Sequence, residues 1–140
     1  QNNRGLGISG QGNDGRLASS DRVGGGGGGK GSGGGTGTSG GSGLANDITG
    51  ASVTYAEGRF TNGQGSNANG SSGTANRGMG GSGTNRENRT AGSGGSGVVI
   101  VTVPTGRTVT IGSGLTGTTN TVGDKQVVSL TAGSGNLTFA

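Results

Sequence analysis

Glycine is the residue that most constrains this chain, and it is distributed very unevenly. Of the 40 glycines in 140 residues, 33 precede Val98, and the first 97 residues carry only 17 apolar side chains. Ordering a glycine-rich backbone costs on the order of 1–2 kcal/mol per residue, and glycine loses the most freedom on folding. So few apolar groups cannot offset that cost by burial in an ordinary hydrophobic core.

Two interpretations of residues 1–97 remain open on composition. The region is a flexible Gly/Ser linker, or it is ordered by backbone hydrogen bonds between glycine-rich segments that approach closely. The second interpretation requires extended, polyproline-II-like runs of about 3 residues per turn, which leave every N–H and C=O free for a neighbouring segment. Collagen is excluded because glycine does not recur at every third position and the chain has one proline.

One stretch inside the glycine-rich region is typical of a strand. Ala51, Val53 and Tyr55 alternate with Ser52 and Thr54, which predicts a short strand at 51–56 with one apolar face.

The last 43 residues predict a small antiparallel module of three or four strands. Val98–Val103 is apolar on both faces apart from Thr102, so we expect a central strand that is covered on both sides. Val103–Gly106 fits a type I turn with Pro104 second and glycine fourth. Further strands are expected at 108–111, around 127–130 and at 137–139, with turns at 117–120 and 122–125, a connection at 133–136, and Leu137 and Phe139 facing inward.

The predicted fold class is therefore mainly β, with glycine-rich polyproline-II-like layers in residues 1–97, an antiparallel β module in residues 98–140 packed against them, and no substantial helix. Ordered blocks on both sides of the Gly97–Val98 junction favour one domain over a linker followed by a domain. The chain begins at Gln1 without an initiator Met or a signal-peptide core, so we expect a C-terminal part of a longer protein.

Composition also excludes several function classes. The chain has no Cys and no His, which excludes disulfides, Cys/His metal sites and hydrolases built on Ser/His/Asp or Cys/His. None of the six carboxylates stands in an apolar setting of the kind that tunes catalytic carboxylates, so we expect no catalytic residue, metal or cofactor. The net charge of +4 forms no basic stripe with aromatics, so no nucleic-acid partner is expected. No segment approaches the ~20 apolar residues that a membrane-spanning helix needs.

Two nucleotide- or ion-binding motifs are only partly matched. Gly24–Gly29 followed by Lys30 nearly forms a phosphate-binding loop, but Gly31 stands where Ser or Thr would bind the metal, and no strand–helix context surrounds it. Residues 10–17 resemble a single calcium-binding nonapeptide, whereas that chemistry needs tandem copies. Neither match predicts a ligand.

The few large side chains rooted in glycine-rich loops are the candidates for receptor contact, because Tyr, Phe and Arg supply much of the contact energy at interfaces. They are Tyr55, Arg59, Phe60, Arg77, Met79, Arg86 and Arg89. Tyr55 also fits a core position, since it ends a strand pattern, and the arginines also fit solvated loop positions.

Four sequence blocks carry a family resemblance. Residues 44–56 (LANDITGASVTYA), 94–101 (GGSGVVIV), 110–117 (TIGSGLTG) and 131–140 (TAGSGNLTFA) resemble the glycine-rich C-terminal domains of bacteriophage tail-fibre and receptor-binding proteins, especially those of marine tailed phages. The resemblance implies a virion surface protein, usually trimeric, that in some relatives is a sandwich of polyglycine-II helices with variable loops. The glycine run that usually follows the Tyr-Ala pair is replaced here by Glu57, Arg59 and Phe60, which marks a candidate variable loop.

From the resemblance we expect a distal tail-fibre or adhesin domain without enzymatic activity. It would bind a bacterial cell-surface glycan or outer-membrane protein through loops near 57–62 and 76–90, as a homo-oligomer with three copies favoured. The alternative is a structural subunit of an extracellular or virion filament, in which strands 98–103 and 137–139 bury against the next copy. An ice- or mineral-binding repeat protein is disfavoured because no regular Thr or Asx ladder is present.

Overall fold

The structure, a computed structural model, describes residues 4–18, 24–62, 67–85 and 88–140. It divides into two compact units. The glycine-rich unit is formed by Gln1–Ala45 and Thr54–Ser96, and the strand unit by Asn46–Val53 and Gly97–Ala140. The chain therefore passes between the two units three times.

The regular structure of the described residues is β, which confirms the expected mainly β fold without a substantial helix. The strands are β1 Leu44–Asn46, β2 Val53–Tyr55, β3 Val99–Pro104, β4 Val109–Ile111, β5 Leu115–Val122, β6 Lys125–Gly133 and β7 Leu137–Phe139. They form a two-stranded sheet β1–β2, a three-stranded sheet β3–β6–β5 and a two-stranded sheet β4–β7. The short strand expected at 51–56 is confirmed as β2, which is shorter by two residues at its start and one at its end.

Extended segments of the glycine-rich unit are joined by backbone hydrogen bonds that recur every third residue. The donor N–H and acceptor C=O pairs, at 2.7–3.2 Å, are Gly27 to Arg59 and Lys30 to Ala56, Gly58 to Gly41 and Thr61 to Thr38, Gly80 to Glu57 and Gly83 to Phe60, Gly70 to Thr90 and Gly73 to Ser93, and Gly92 to Ser82 and Gly95 to Met79. A β-ladder repeats every second residue. A spacing of three is the repeat of the polyproline-II helix, so these segments pack as polyglycine II.

The helix at 57–62, with Ala56 directly before it, shows how one such helix is surrounded. The carbonyls of Ala56 and Arg59 accept from segment 24–31, and the N–H groups of Gly58 and Thr61 donate to segment 38–43. The carbonyls of Glu57 and Phe60 accept from segment 79–83. Each of the three faces of the helix therefore has its own neighbour, whereas a strand in a flat sheet pairs only along its two edges.

Most glycines of this unit lie where two backbones approach so closely that a Cβ would overlap the neighbour. A Cβ added at Gly26 would overlap the Ser39 carbonyl, and one at Gly58 would overlap the Gly27 carbonyl. Both positions are buried. The obstacle in each case is backbone, which cannot rotate away as a side chain can, so any larger residue must push two segments apart.

The one face of segment 24–31 that has room for side chains carries its only non-glycine residue. A Cβ at Gly24 or at Gly27 would have its nearest atoms at 3.6 and 3.7 Å, an ordinary van der Waals distance. Lys30 follows in the same three-residue phase. The position of Lys30 in the glycine tract is therefore set by the polyproline-II period.

The strand unit is organised around β6 and not, as expected, around the apolar run at 98–103. In the three-stranded sheet β6 is central, and its Val127 and Val128 are 2% and 0% exposed. The expected central strand is β3, an edge strand whose Val99 is 60% exposed. The prediction was wrong because β6 is flanked on one side by its hairpin partner β5 and on the other by β3, a pairing that apolar composition does not encode.

Three local expectations in the strand unit also need correction. The turn after β3 spans Pro104–Arg107, one residue later than expected, and Gly106 at its third position has φ of 93°, as a type II turn requires. Residues 117–120 continue β5, with a bulge where the register shifts between Thr116 and Gly117. Phe139 is 52% exposed and does not face a core.

The module is larger than expected, with five strands from β3 to β7 where three or four were predicted. The turn expected at 122–125 is confirmed as the two-residue loop between β5 and β6. Gly123 in that loop has φ of 60°, which suits the first central position of a hairpin turn.

Candidate functional site

Glu57, Arg59 and Phe60 form a cluster on the glycine-rich unit. The Arg59 guanidinium carbon lies 5.2 Å from the centroid of the Phe60 ring, within the range of a cation–π contact. Arg59 Nη1 lies 3.8 Å from Glu57 Oε1, an ion pair that is longer than a hydrogen bond. Phe60 is 40% exposed. The cluster therefore combines a cation, a carboxylate and an accessible aromatic face.

The cluster stands on packed backbone. Residues 57–62 were expected to form a projecting loop, but this segment is a polyglycine-II helix with a neighbour on each face. The carbonyls of Glu57, Arg59 and Phe60 each accept a backbone hydrogen bond, at 3.0, 3.1 and 3.2 Å. A rigid base of this kind holds side chains in place for binding more accurately than a free loop does.

A groove of about 520 Å³ runs beside the cluster. Much of its wall is glycine backbone from segments 24–31 and 78–83, and its charged side chains are Lys30, Glu57 and Arg59. The volume lies within the roughly 300–1,000 Å³ of small-ligand sites. The peptide groups and the charged side chains of its wall offer hydrogen-bond and ionic partners to a polar ligand.

Polar groups at the rim of the groove are held by backbone contacts. The Asn13 side-chain amide donates to the carbonyls of Gly29 and Lys30 at 2.9 and 3.0 Å, and the Lys30 ammonium donates to the Gly10 carbonyl. The Thr61 hydroxyl donates to the Gly25 carbonyl at 3.3 Å and is nearly buried. The charged side chains of the groove are two cations and one carboxylate, so its net charge is positive.

Among the described residues predicted for receptor contact, Arg59 lines the groove, and the others are not part of its wall. Met79 is buried, only 9% exposed, so it contributes to packing and does not present a contact surface. Tyr55, Arg77 and Arg89 are half-buried. Arg86 lies outside the described residues. Of the seven predicted residues, the structure brings Arg59 and Phe60 into contact.

Sequence reasoning missed Lys30 and Asn13 as part of this groove. Lys30 was considered only as the lysine of an incomplete phosphate-binding loop. Its three-residue phase with Gly24 and Gly27 was a usable signal, because it places Lys30 on the open face of a polyproline-II helix. For Asn13 the sequence held no comparable signal, since its neighbours come from residues 16 and 17 positions away.

Carboxylates in the part of the chain that the structure describes do not converge in groups of three or more. The described residues include no helix of the length and apolarity needed to span a bilayer.

Comparisons of the chain with protein-family models, with curated protein sequences and with solved structures found no match in any of the three.

Proposed function

We propose that this chain is a distal tail-fibre or adhesin domain of a virion and attaches to the host cell by non-covalent receptor binding. The groove beside Glu57, Arg59 and Phe60 is the contact site, and the receptor is a bacterial cell-surface glycan or an outer-membrane protein. The domain binds and performs no chemistry on its receptor. The single observation that carries the proposal is a cation and an exposed aromatic ring held together on packed backbone beside a polar groove.

Attachment in this proposal is multivalent. The protein acts as a homo-oligomer, with three copies favoured by the resemblance to trimeric fibres. Linking several weak sites makes later binding events intramolecular, so overall binding strength rises by a factor on the order of 10²–10⁴ without any new contact. One small groove per copy is then sufficient for stable adsorption.

Side-chain removal on an intact backbone tests the site. Because residues 57–62 already pack as polyglycine II, the triple variant Glu57→Gly, Arg59→Gly, Phe60→Gly removes the cluster and keeps the helix. We expect the adsorption rate of particles that carry it to fall at least about tenfold. The matched control replaces Ser71 and Thr74, two exposed residues in one phase of another segment, by glycine. If the two variants adsorb equally well, the groove is not the contact site.

A specific observation favours the alternative of a structural filament subunit. β3 is an edge strand without a charged residue, and Val99 near its start is 60% exposed. Natural proteins usually protect such edges with charges, bulges or short strands, as β5 does here with polar residues and a nearby bulge. An edge on which Pro104, at the end of the strand, is the one protecting residue is suited to pairing with a second copy.

Imaging of the native particle separates the two functions. Antibodies against this chain should label the distal ends of fibres on particles with capsids if it is an adhesin. Open helical polymers without capsids, labelled along their length, would support the filament instead.

A further inference from the structure

We propose that the groove beside Arg59 binds an anionic group, a carboxylate or a phosphate, carried by the receptor glycan. This inference rests on the proposed function and specifies the chemical class of the receptor. It starts from the hydrogen-bonding state of Arg59. Among the described residues the Arg59 side chain has no hydrogen-bond partner, its Nε is buried, and its nearest carboxylate oxygen is 3.8 Å away.

A guanidinium in this state is prepared for an anion. A guanidinium has five N–H donors in a planar fork that matches the two oxygens of a carboxylate or phosphate, and with Nε buried the donors left for a ligand are those on Nη1 and Nη2. Phe60 lies against the guanidinium, and the Arg59 side chain retains 22% exposure. Stacking restricts the orientation of the guanidinium plane, so less freedom is lost when an anion binds its edge.

Glycines that the packing does not require keep the groove open around Arg59. A Cβ at Gly27 would lie 3.7 Å from the Arg59 backbone nitrogen, and a Cβ at Gly80 would lie 3.5 Å from the same nitrogen and 3.6 Å from Arg59 Cγ. Neither glycine has a positive φ. Alanine would therefore fit both positions, unlike Gly26 or Gly58, where backbone blocks a Cβ. At Gly27 and Gly80 the missing side chain leaves open space in the groove, whereas at Gly26 and Gly58 it allows two backbones to touch.

The second cation of the groove adds to the attraction. Lys30 lines the same groove, and its ammonium has three donors, of which the Gly10 carbonyl accepts one. Glu57 acts in the opposite direction, since its carboxylate is the single negative side chain in the wall. An incoming anion competes with Glu57 for Arg59, which makes Glu57 a moderator of affinity.

The test is a calorimetric titration of the full chain with three probes. Trigalacturonic acid carries carboxylates, mannose 6-phosphate carries a phosphate, and trigalactose is neutral. We expect at least one charged probe to bind about tenfold or more tightly than trigalactose, with an affinity that falls as salt is added. The preferred charged probe identifies which of the two anionic groups the groove takes. Equal affinity for charged and neutral probes, or no binding of either charged probe, would overturn the inference.

Matched variants locate the binding. Arg59→Gln should lower the affinity for the charged probe about tenfold, Glu57→Gln should raise it, and Gly27→Val should lower it by filling the groove. Arg16→Gln is the control, because Arg16 is exposed, lies outside the groove wall and gives the same change in charge. Equal losses from Arg59→Gln and Arg16→Gln would mean a diffuse charge effect and contradict the site.

The binding and adsorption experiments can contradict the anionic site and the attachment role independently. If neither charged probe binds but the triple-glycine variant still loses adsorption, the anionic site is wrong and the proposed function stands. If Arg59→Gln lowers binding of the charged probe while the triple-glycine variant adsorbs normally, the groove is an anion site and the proposed attachment role is wrong.

Discussion

The glycine-rich unit and the strand unit are ordered by different kinds of interaction. In the glycine-rich unit, Met79 is the only apolar side chain that is buried among the described residues, and order comes from backbone hydrogen bonds with a period of three. In the strand unit, order comes from ladders with a period of two and from Val127 and Val128. The effect of a mutation on stability should therefore depend on the position within the three-residue repeat in the glycine-rich unit. In the strand unit it should depend on side-chain burial.

The largest expected effect comes from two adjacent glycines. Gly26→Ala places a methyl group into the Ser39 carbonyl and should destabilise the chain by about 3 kcal/mol or more. Gly27→Ala has room and should stabilise it by about 0.4–1 kcal/mol, because alanine restricts the unfolded chain. Thermal unfolding of the two variants checks this. Similar effects at both positions would mean that the three-residue phase does not control packing.

The next effect belongs to the strand unit. Val128 is fully buried in the central strand, so Val128→Ala should lower the free energy of unfolding by about 2 kcal/mol through lost burial and a small cavity. Val99→Ala on the edge strand should change it by no more than about 0.5 kcal/mol. Denaturant unfolding measures both. A larger loss at Val99 than at Val128 would show that β3 is covered in solution.

A smaller effect with reversed sign is expected at the exit from β2. Ala56 has φ of 52°, in the left-handed region that disfavours residues with a Cβ. Its N–H donates to the Arg77 carbonyl and its carbonyl accepts from Lys30, which holds it in this conformation.

Ala56→Gly should therefore stabilise the chain by about 0.5–1 kcal/mol, after allowing for the extra freedom of glycine in the unfolded state. Ala91→Gly, at an exposed alanine without a positive φ, should destabilise it by a similar amount. Opposite signs in thermal unfolding confirm the strain at Ala56, and equal signs contradict it.

The smallest effect is expected for the ion pair in the cluster. Glu57 and Arg59 are 3.8 Å apart and both side chains are partly exposed, so Glu57→Gln should change stability by less than about 0.5 kcal/mol. The same variant should alter anion binding, which calorimetry measures. A large loss of stability would mean that the pair serves the fold rather than the groove.

Much of the fold followed from local patterns. The alternation at 51–55 correctly predicted β2, and the Val122–Lys125 sequence correctly predicted a turn. The mainly β fold without a substantial helix is confirmed, whereas composition alone left residues 1–97 open between a flexible linker and polyproline-II-like layers. The apolar run at 98–103 is a strand, as predicted, but its central position was wrong. Whether a strand is central depends on which other strands pair with it, and those partners are distant in sequence.

The candidate site was only partly predictable for a similar reason. Arg59 and Phe60 were chosen because large side chains among glycines are available for contact, and adjacency in sequence brings them together. Met79 met the same criterion and is buried. The polyproline-II phase that turns residue 79 inward depends on the neighbours of segment 79–83, so sequence alone could not separate it from Arg59.

The sequence by itself determined that residues 1–97 can be ordered only through their backbone. With so many glycines and so few apolar groups before Val98, no side-chain core is available there, and glycine alone allows segments to pack at hydrogen-bonding distance on three sides. Only the tertiary structure decided which face of each segment is closed and which is open. A polyproline-II helix has no internal hydrogen bonds, so each face is defined entirely by the segment that lies against it.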